Sequence, residues 1–127
     1  RYHQTKLANC AFTYGLNQKL EAHGITNVSS LVAHPGLAAT NLQVTTNADG
    51  GMDNMDFMSR AQSAEDGATG IIRACADPDA KAGDFFGPTA GWVGYPERLE
   101  PEPELYDPEN IRINWEGCEA AVGEFDF

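Results

Sequence analysis

The sequence lacks long apolar runs and any excess of positive charge. No run of about 18 apolar residues occurs, so we predict no membrane-spanning helix. The chain has 8 basic and 19 acidic residues, a formal net charge of −11. Nucleic acids and anionic membranes are bound through clusters of basic side chains, so this balance argues against both as partners. The 42% share of hydrophobic residues argues against a disordered chain.

Paired cysteines and metal-ligand spacings are also missing. Cys10, Cys75 and Cys118 are widely spaced and form no Cys-x-x-Cys motif. The histidines show no ligand spacing either, so we predict no metal site. Reduced, buried thiols are typical of a cytoplasmic protein, and we predict that location.

An initial methionine and a secretion signal are absent as well. The sequence begins at Arg1, without a basic segment followed by an apolar one. We therefore interpret residues 1–127 as a single partial domain from a longer chain. Acidic residues crowd into the stretch 97–109, which is typical of a solvated loop.

The spacing of apolar residues predicts three main helices. Gly24 has the character of a C-cap of the first helix, since glycine tolerates a left-handed backbone. Ser63 and Asp107 are expected to be the N-caps of the other two. The helices are predicted over about 2–23, 63–76 and 108–122.

Two short apolar stretches predict buried strands, at 28–33 and 83–88. The first is stopped by Pro35-Gly36, where glycine would allow a sharp turn and a close approach to a ligand. A helix followed by such a strand favours a parallel sheet. We therefore expect an α/β fold with about two strands and three helices.

A region of little regular pattern lies between about residues 41 and 62. It contains a small apolar cluster that includes three methionines. Long loops are often lids or binding loops, and methionine suits adaptable apolar contacts. Ordinary packing of a surface helix explains the cluster equally well. The methionines are Met52, Met55 and Met58.

Tyr2 and Lys6 are the first candidates for chemistry. Residues four apart on a helix share a face. A phenol normally titrates near pH 10, about three units above neutrality, and a nearby ammonium would favour its ionised form. The pair therefore suits proton transfer to a carbonyl or from an alcohol. The spacing alone occurs by chance on many helices.

Other motifs add to this pair. Tyr2-x-x-x-Lys6-Leu7-Ala8-Asn9 opens a helix, a strand follows, and then comes His34-Pro35-Gly36-x-x-x-Thr40-Asn41-Leu42. Gly67-Ala68, Gly83–Pro88 and Trp115-Glu116 come later in the same order. Together they resemble the short-chain dehydrogenase/reductase family, most of all its retinol-dehydrogenase-like branch. The resemblance implies the C-terminal half of an oxidoreductase that uses NAD or NADP, with part of a Rossmann-type, doubly wound parallel sheet.

The resemblance also implies roles for particular residues. Tyr2 matches the acid/base that protonates a carbonyl oxygen or deprotonates an alcohol. Lys6 matches the residue that activates the tyrosine and binds the nicotinamide ribose. Pro35 and Gly36 match a turn beside the nicotinamide, and Thr40 matches a contact to its carboxamide.

The substrate side is implied less specifically. Leu42, Met52, Met55 and Met58 fall in the family's substrate-loop region, which implies a small substrate that is apolar in its bulk. The helix opened by Tyr2 corresponds to one that contributes to dimer formation, so a homo-oligomer is expected.

The sequence departs from the family in its cofactor-binding parts. No glycine-rich phosphate loop follows a first strand. The family's catalytic serine, its supporting asparagine and the residue that separates NAD from NADP have no counterpart either. We therefore expect this chain alone to bind no dinucleotide and to be inactive.

Two other readings of the sequence stay open. A two-stranded sheet is a marginal unit, and the helix face around Leu7, Ala11 and Tyr14 is apolar. The chain could thus be a non-catalytic module that self-associates. In a weaker third reading, it is an acidic protein-binding domain in which the Tyr2/Lys6 spacing is incidental.

Overall fold

The computed structural model describes residues 2–40, 59–89 and 92–127. These ranges form a mixed α/β structure with three α-helices and a small three-stranded sheet. None of the helices in them combines the length and the apolar content needed to cross a bilayer. In chain order, the elements are α1 (Tyr2–Ala22), β1 (Val32–Ala33), α2 (Ala64–Ala76), β2 (Phe85–Pro88), β3 (Pro96–Leu99), a 3₁₀ helix (Pro103–Leu105) and α3 (Pro108–Val122).

The helix ends follow the predicted capping residues closely. Gly24, just beyond α1, has a φ of +69°. The Ser63 hydroxyl oxygen accepts a hydrogen bond from the Asp66 amide at 3.0 Å and so caps α2. The Asp107 carboxylate accepts one from the Asn110 amide at 2.9 Å at the start of α3. Each cap satisfies an amide that the first turn of a helix leaves without a partner.

The first predicted strand is much shorter than expected, because the backbone ahead of it bonds to a side chain. The Asn17 side-chain nitrogen donates to the Ser30 carbonyl, and the Ser30 backbone amide donates to the Asn17 side-chain oxygen, both at 2.9 Å. The Ser30 carbonyl also accepts from the Gly83 amide at 2.9 Å. Regular pairing begins only at Val32, so β1 is a two-residue strand rather than one over 28–33.

The prediction of two parallel strands needs correction. The Val32 amide donates to the Asp84 carbonyl and the His34 amide to the Phe86 carbonyl, so β1 and β2 run parallel. A third strand, β3, pairs antiparallel with β2, with Phe85 opposite Leu99. Its sequence, Pro-Glu-Arg-Leu, has no alternation of apolar residues, and proline is confined to edge strands. The sheet, in the order β1-β2-β3, is therefore mixed.

The described structure divides into two compact units. We name them the helical unit, comprising Arg1–Val32, Lys81–Asp84 and Glu100–Phe127, and the sheet unit, comprising Ala33–Ala80 and Phe85–Leu99. The prediction that residues 1–127 belong to a single partial domain stays a prediction.

Packing in the helical unit brings α1 and α3 together. Phe12 stacks on Trp115 with ring centroids 5.5 Å apart, and Trp115 is only 5% exposed. Gly15 permits this approach: a Cβ there would lie 3.0 Å from the Trp115 ring and 3.2 Å from Ile111. Ala11 is also buried. The long first helix is thus held by aromatic and aliphatic contacts.

Packing in the sheet unit centres on Phe86, whose side chain is fully buried at 0% exposure. Helix α2 packs against β2 and β3. Its glycines allow close contact, since a Cβ at Gly67 would lie 2.7 Å from the Cβ of Ala38, and one at Gly70 would lie 3.2 Å from the His34 carbonyl oxygen. The glycines of α2 are therefore packing positions.

Candidate functional site

Tyr2 and Lys6 lie on the first two turns of α1, in the helical unit. The Lys6 ammonium nitrogen lies over the Tyr2 ring, 5.2 Å from its centroid. No hydrogen bond between this nitrogen and the phenol oxygen is found among the described residues, so the contact is of the cation–π type. Tyr2 is 56% exposed, which leaves its hydroxyl accessible to another molecule.

The same face of α1 continues through Cys10 and Tyr14, each four residues further on. Burial raises the pKa of the Cys10 thiol, and the positive charge of Lys6 opposes this only in part. The thiol is therefore held in its protonated form, which is a poor nucleophile. Cys10 contributes no separate chemistry to this face.

Tyr14 differs from Tyr2 in its surroundings. Its ring meets that of Tyr106 edge-on, with centroids 5.9 Å apart. Burial, together with nearby groups such as Cys10, raises the pKa of the Tyr14 phenol. Its hydroxyl oxygen is buried and has no hydrogen-bond partner in the described ranges. Of the two tyrosines on this face, only Tyr2 is open to solvent and accompanied by a cation.

Pro35 and Gly36 form a turn directly after β1, in the sheet unit. Gly36 has a φ of +62°, and a Cβ on it would collide with the carbonyl oxygen of Trp92 and with the Pro88 ring. The Leu37 amide donates to the same Trp92 carbonyl. The predicted sharp turn at Gly36 is confirmed. The predicted approach of Gly36 to a ligand stays a prediction. On one side of its Cα, the space is filled by Trp92 and Pro88 of the same unit.

Gln62 supports this turn, although nothing in the sequence singled it out. Its side-chain nitrogen donates to the Pro35 carbonyl at 2.6 Å, and its side-chain oxygen accepts from the Gly94 amide at 2.9 Å. Its backbone pairs with Leu37 and Ala39. A glutamine at the end of an irregular stretch carries no recognisable signal, so only the structure could identify it.

His34 is a second residue that the sequence indicated only as part of a motif. Its ring nitrogen Nδ1 accepts a hydrogen bond from the Gly36 amide at 3.1 Å. The ring lies 5.3 Å from that of Phe85, and it fills the space that a Cβ on Gly87 would need. Burial lowers the pKa of this imidazole. His34 is thus a neutral, half-buried group that braces the turn.

The other predicted site residues divide between described and undescribed parts of the chain. Thr40 is exposed and is the last described residue before residue 59. The structure places Tyr2 and Lys6 together in one unit, and Pro35, Gly36 and Thr40 in the other. The predicted substrate-loop residues Leu42, Met52, Met55 and Met58 lie outside the described residues.

The donor groups present suit one end of a nicotinamide cofactor better than the other. An exposed phenol and an ammonium could bind hydroxyl or carbonyl oxygens of a nicotinamide riboside. A diphosphate prefers a helix N-terminus without acidic side chains. Helix α2 instead begins with Glu65 and Asp66, and α3 with Asp107 and Glu109, which would repel it. Neither of these two helix starts fits a diphosphate.

Metal chemistry has no recognisable site in the ranges 2–40, 59–89 and 92–127. No group of three or more His, Cys, Asp or Glu side chains that could hold a metal ion is found there.

No protein-family model, no curated protein and no solved structure matches this chain.

Proposed function

We propose that this chain carries the acid/base part of an NAD(P)-dependent oxidoreductase of the short-chain dehydrogenase/reductase type. The observation that carries the proposal is the Tyr2/Lys6 pair, with an exposed phenol and an ammonium 5.2 Å from its ring centroid. Tyr14, farther along α1, is half-buried, and burial raises its pKa. Of these two tyrosines of α1, Tyr2 is the exposed one and has a cation over its ring.

Tyr2 would transfer the proton in this chemistry. Its hydroxyl would donate to the oxygen of a carbonyl substrate in reduction and accept the proton of an alcohol in oxidation. Lys6 would stabilise the phenolate that forms in the first case, because an opposite charge nearby favours the ionised form. A bound nicotinamide would supply or accept the hydride.

Lys6 would orient the cofactor through its ribose, and the family resemblance gives the Pro35–Gly36 turn a separate role beside the nicotinamide. The lysine ammonium is a three-proton donor suited to ribose hydroxyls. Thr40 would hydrogen-bond the nicotinamide carboxamide. The substrate class that follows is a small carbonyl or alcohol compound, apolar in its bulk.

The phosphates of the dinucleotide would need another segment. This sequence contains no glycine-rich turn after a first strand, and the first turns of α2 and α3 are acidic. We therefore propose that residues 1–127 alone catalyse no efficient hydride transfer, and that the Rossmann-type sheet and its dinucleotide site are completed elsewhere.

The structure weakens the reason for the self-association alternative. That alternative rested on an apolar face of α1 around Leu7, Ala11 and Tyr14. Ala11 is 1% exposed within the helical unit, and Tyr14 contacts Tyr106 of the same unit. Much of this face is thus covered by the chain itself, and no specific observation favours the alternative.

A titration with reduced nicotinamide mononucleotide tests the proposal, because this probe lacks the adenosine half. Amide shifts would be followed by NMR. We expect changes at Lys6, Gly36 and Thr40 that adenosine diphosphate does not reproduce. Lys6→Met should abolish the response of the amides around residue 6, whereas Lys81→Met, which removes an exposed lysine elsewhere, should not.

Two results of this titration would contradict the proposal. One is an absence of any response at these amides. The other is an equal response in the Lys6→Met and Lys81→Met variants, which would show that the probe binds without the proposed pair.

Hydride transfer provides an independent measurement. Reduced nicotinamide dinucleotide and a panel of apolar carbonyl compounds would be followed by the absorbance of the cofactor. We expect no turnover above background. Turnover that Tyr2→Phe abolishes would support the chemistry and overturn the expected inactivity. Turnover that persists in Tyr2→Phe would exclude Tyr2 as the acid.

A further inference from the structure

The imidazole of His34 connects three backbone segments of the sheet unit. Its Nδ1 accepts from the Gly36 amide at 3.1 Å. Its ring stacks obliquely on Phe85, with an angle of 31° between the ring planes, and occupies the space beside Gly87. The His34 backbone amide donates to the Phe86 carbonyl at 2.9 Å, which fixes the residue at the end of β1. The ring orientation is thus set from both sides.

The hydrogen bond determines where the ring proton lies. An amide can donate to Nδ1 only when that nitrogen carries a lone pair, so a neutral His34 must hold its proton on Nε2. Protonation of the ring would place two N–H groups against each other. The attraction to the Gly36 amide would then become a repulsion.

We propose that neutral His34 is a positioning residue that holds the Pro35–Gly36 turn in place, and that protonation of its ring releases this turn. The turn's other bonds run from Pro35 to Gln62 and from Leu37 to Trp92. The His34–Gly36 bond differs from these because it contains the turn's titratable acceptor. For the turn's part in cofactor binding, the inference rests on the proposed function.

The groups around the His34 ring favour its neutral form. Burial lowers the pKa of the His34 imidazole. Phe85 and Gly87 of β2 bring no charge. On α2, Arg73 donates to the Pro96 carbonyl and pairs with Asp77 at 3.6 Å.

One carboxylate lies on the adjoining strand. Glu97 stands opposite Gly87 in the β2–β3 register, and paired residues of antiparallel strands share a face of the sheet. A carboxylate that reached the ring would favour its protonated form. Glu97→Gln therefore checks whether the release occurs through His34 alone: we expect the pH of the transition to be unchanged.

A pair of variants of equal shape separates the hydrogen bond from packing. Asparagine can accept the Gly36 amide through its side-chain oxygen, as in an Asx turn, whereas leucine has a similar shape and no acceptor. We expect His34→Asn to keep the Gly36 amide protected from hydrogen exchange. In His34→Leu, the exchange should be about fivefold to tenfold faster, the effect of losing one net hydrogen bond.

The pH dependence distinguishes the proposed role of His34 from a purely structural one, because a structural contact would not follow the titration of the ring. In the wild-type chain, the ¹⁵N shifts of His34 should show a proton on Nε2 at neutral pH. On acidification, the Gly36 amide shift should follow the ring titration. His34→Asn should keep the neutral-pH shift at all these pH values, because asparagine does not titrate.

Some results would overturn the inference. They are a proton on Nδ1 at neutral pH, a Gly36 amide that ignores the ring titration, or equal exchange rates in the Asn and Leu variants. A shift of the transition in Glu97→Gln would also count against release through His34 alone.

The proposed function fails in a different way. If reduced nicotinamide mononucleotide leaves Gly36 unperturbed in the wild-type chain, the turn has no part in binding this cofactor. The comparison of Gly36 exchange in His34→Asn and His34→Leu, and the pH titration, are both measured without any cofactor. Their expected outcome would then still establish His34 as the group that holds the turn.

Discussion

The helical unit is held by stacked aromatic side chains, whereas the sheet unit combines the buried Phe86 with glycines that let α2 approach closely. In the helical unit, Trp115 stacks on Phe12 and covers Gly15. In the sheet unit, Gly67 and Gly70 bring α2 near the chain that follows β1. A stacked side chain tolerates small shifts better than the atoms packed beside a glycine do, because a side chain can change its rotamer. We therefore expect the two units to respond differently to substitutions of similar size.

The largest expected effect comes from emptying the core of the helical unit. Trp115→Ala removes a 5% exposed ring that contacts Phe12 and Gly15. We expect the free energy of unfolding to fall by about 3–5 kcal/mol, the range for large aromatic residues in cores. Urea denaturation followed by circular dichroism measures it. Ile113→Ala, at an exposed site of the same helix, should change stability by less than about 0.5 kcal/mol.

A comparison of two glycines tests the role of close packing beside α2. A methyl group at Gly67 would lie 2.7 Å from the Cβ of Ala38, whereas Gly117 on α3 has nothing within 4 Å. We expect Gly67→Ala to destabilise by about 1–3 kcal/mol through overpacking. Gly117→Ala should stabilise by about 0.5–1 kcal/mol, since alanine favours a helix. The urea midpoints of the two variants should shift in opposite directions from that of the wild type. A shift in the same direction would contradict the assigned close contact at Gly67.

Helix capping should have a similar, smaller effect in either unit. Ser63→Ala removes the acceptor for the Asp66 amide, and Asp107→Ala removes the one for the Asn110 amide. We expect each to cost about 1 kcal/mol, because one amide loses its partner. Hydrogen exchange at Asp66 and Asn110 reports each cap locally. Ser63→Asn, which keeps an acceptor, should exchange like the wild type.

The smallest effect is a pH dependence confined to the sheet unit. Burial lowers the pKa of His34 from its ordinary value of 6.5. The unfolded chain therefore binds more protons than the folded one between the two pKa values, so stability rises with pH there. The contribution is fully present above pH 6.5 and is lost as the pH falls through the lowered pKa.

The measurement for this prediction is a series of urea midpoints at decreasing pH. We expect the wild type to lose more stability on acidification than His34→Asn, which carries no titratable group at this position. Identical pH profiles for the two chains would show that another group is responsible.

The sequence predicted the helices well because their signals are local. A cap and the amide that it satisfies are only three residues apart, as for Ser63 with Asp66 and Asp107 with Asn110. The strands were harder to predict. Asn17 withdraws Ser30 from regular pairing, and β3 becomes a strand only because β2 offers it an edge. Both effects join residues far apart in the chain.

The candidate site divides in the same way. The spacing of Tyr2 and Lys6 was enough to predict that they share a face of α1, because helix geometry depends only on spacing. Tyr2 is exposed, whereas Tyr14 is half-buried with a buried hydroxyl oxygen and contacts Tyr106, a distant residue. Likewise, Pro35-Gly36 predicted a turn, but Trp92 and Gln62 determine what surrounds it.

The sequence by itself therefore determined the three helices, their caps, the turn at Gly36 and the shared face of Tyr2 and Lys6. The tertiary structure decided the mixed sheet, the burial of the Tyr14 hydroxyl and the brace that His34 provides. The physical reason is range. Backbone hydrogen bonds and side-chain spacing within a helix act over a few residues, whereas burial and desolvation depend on whatever distant segment folds against a group.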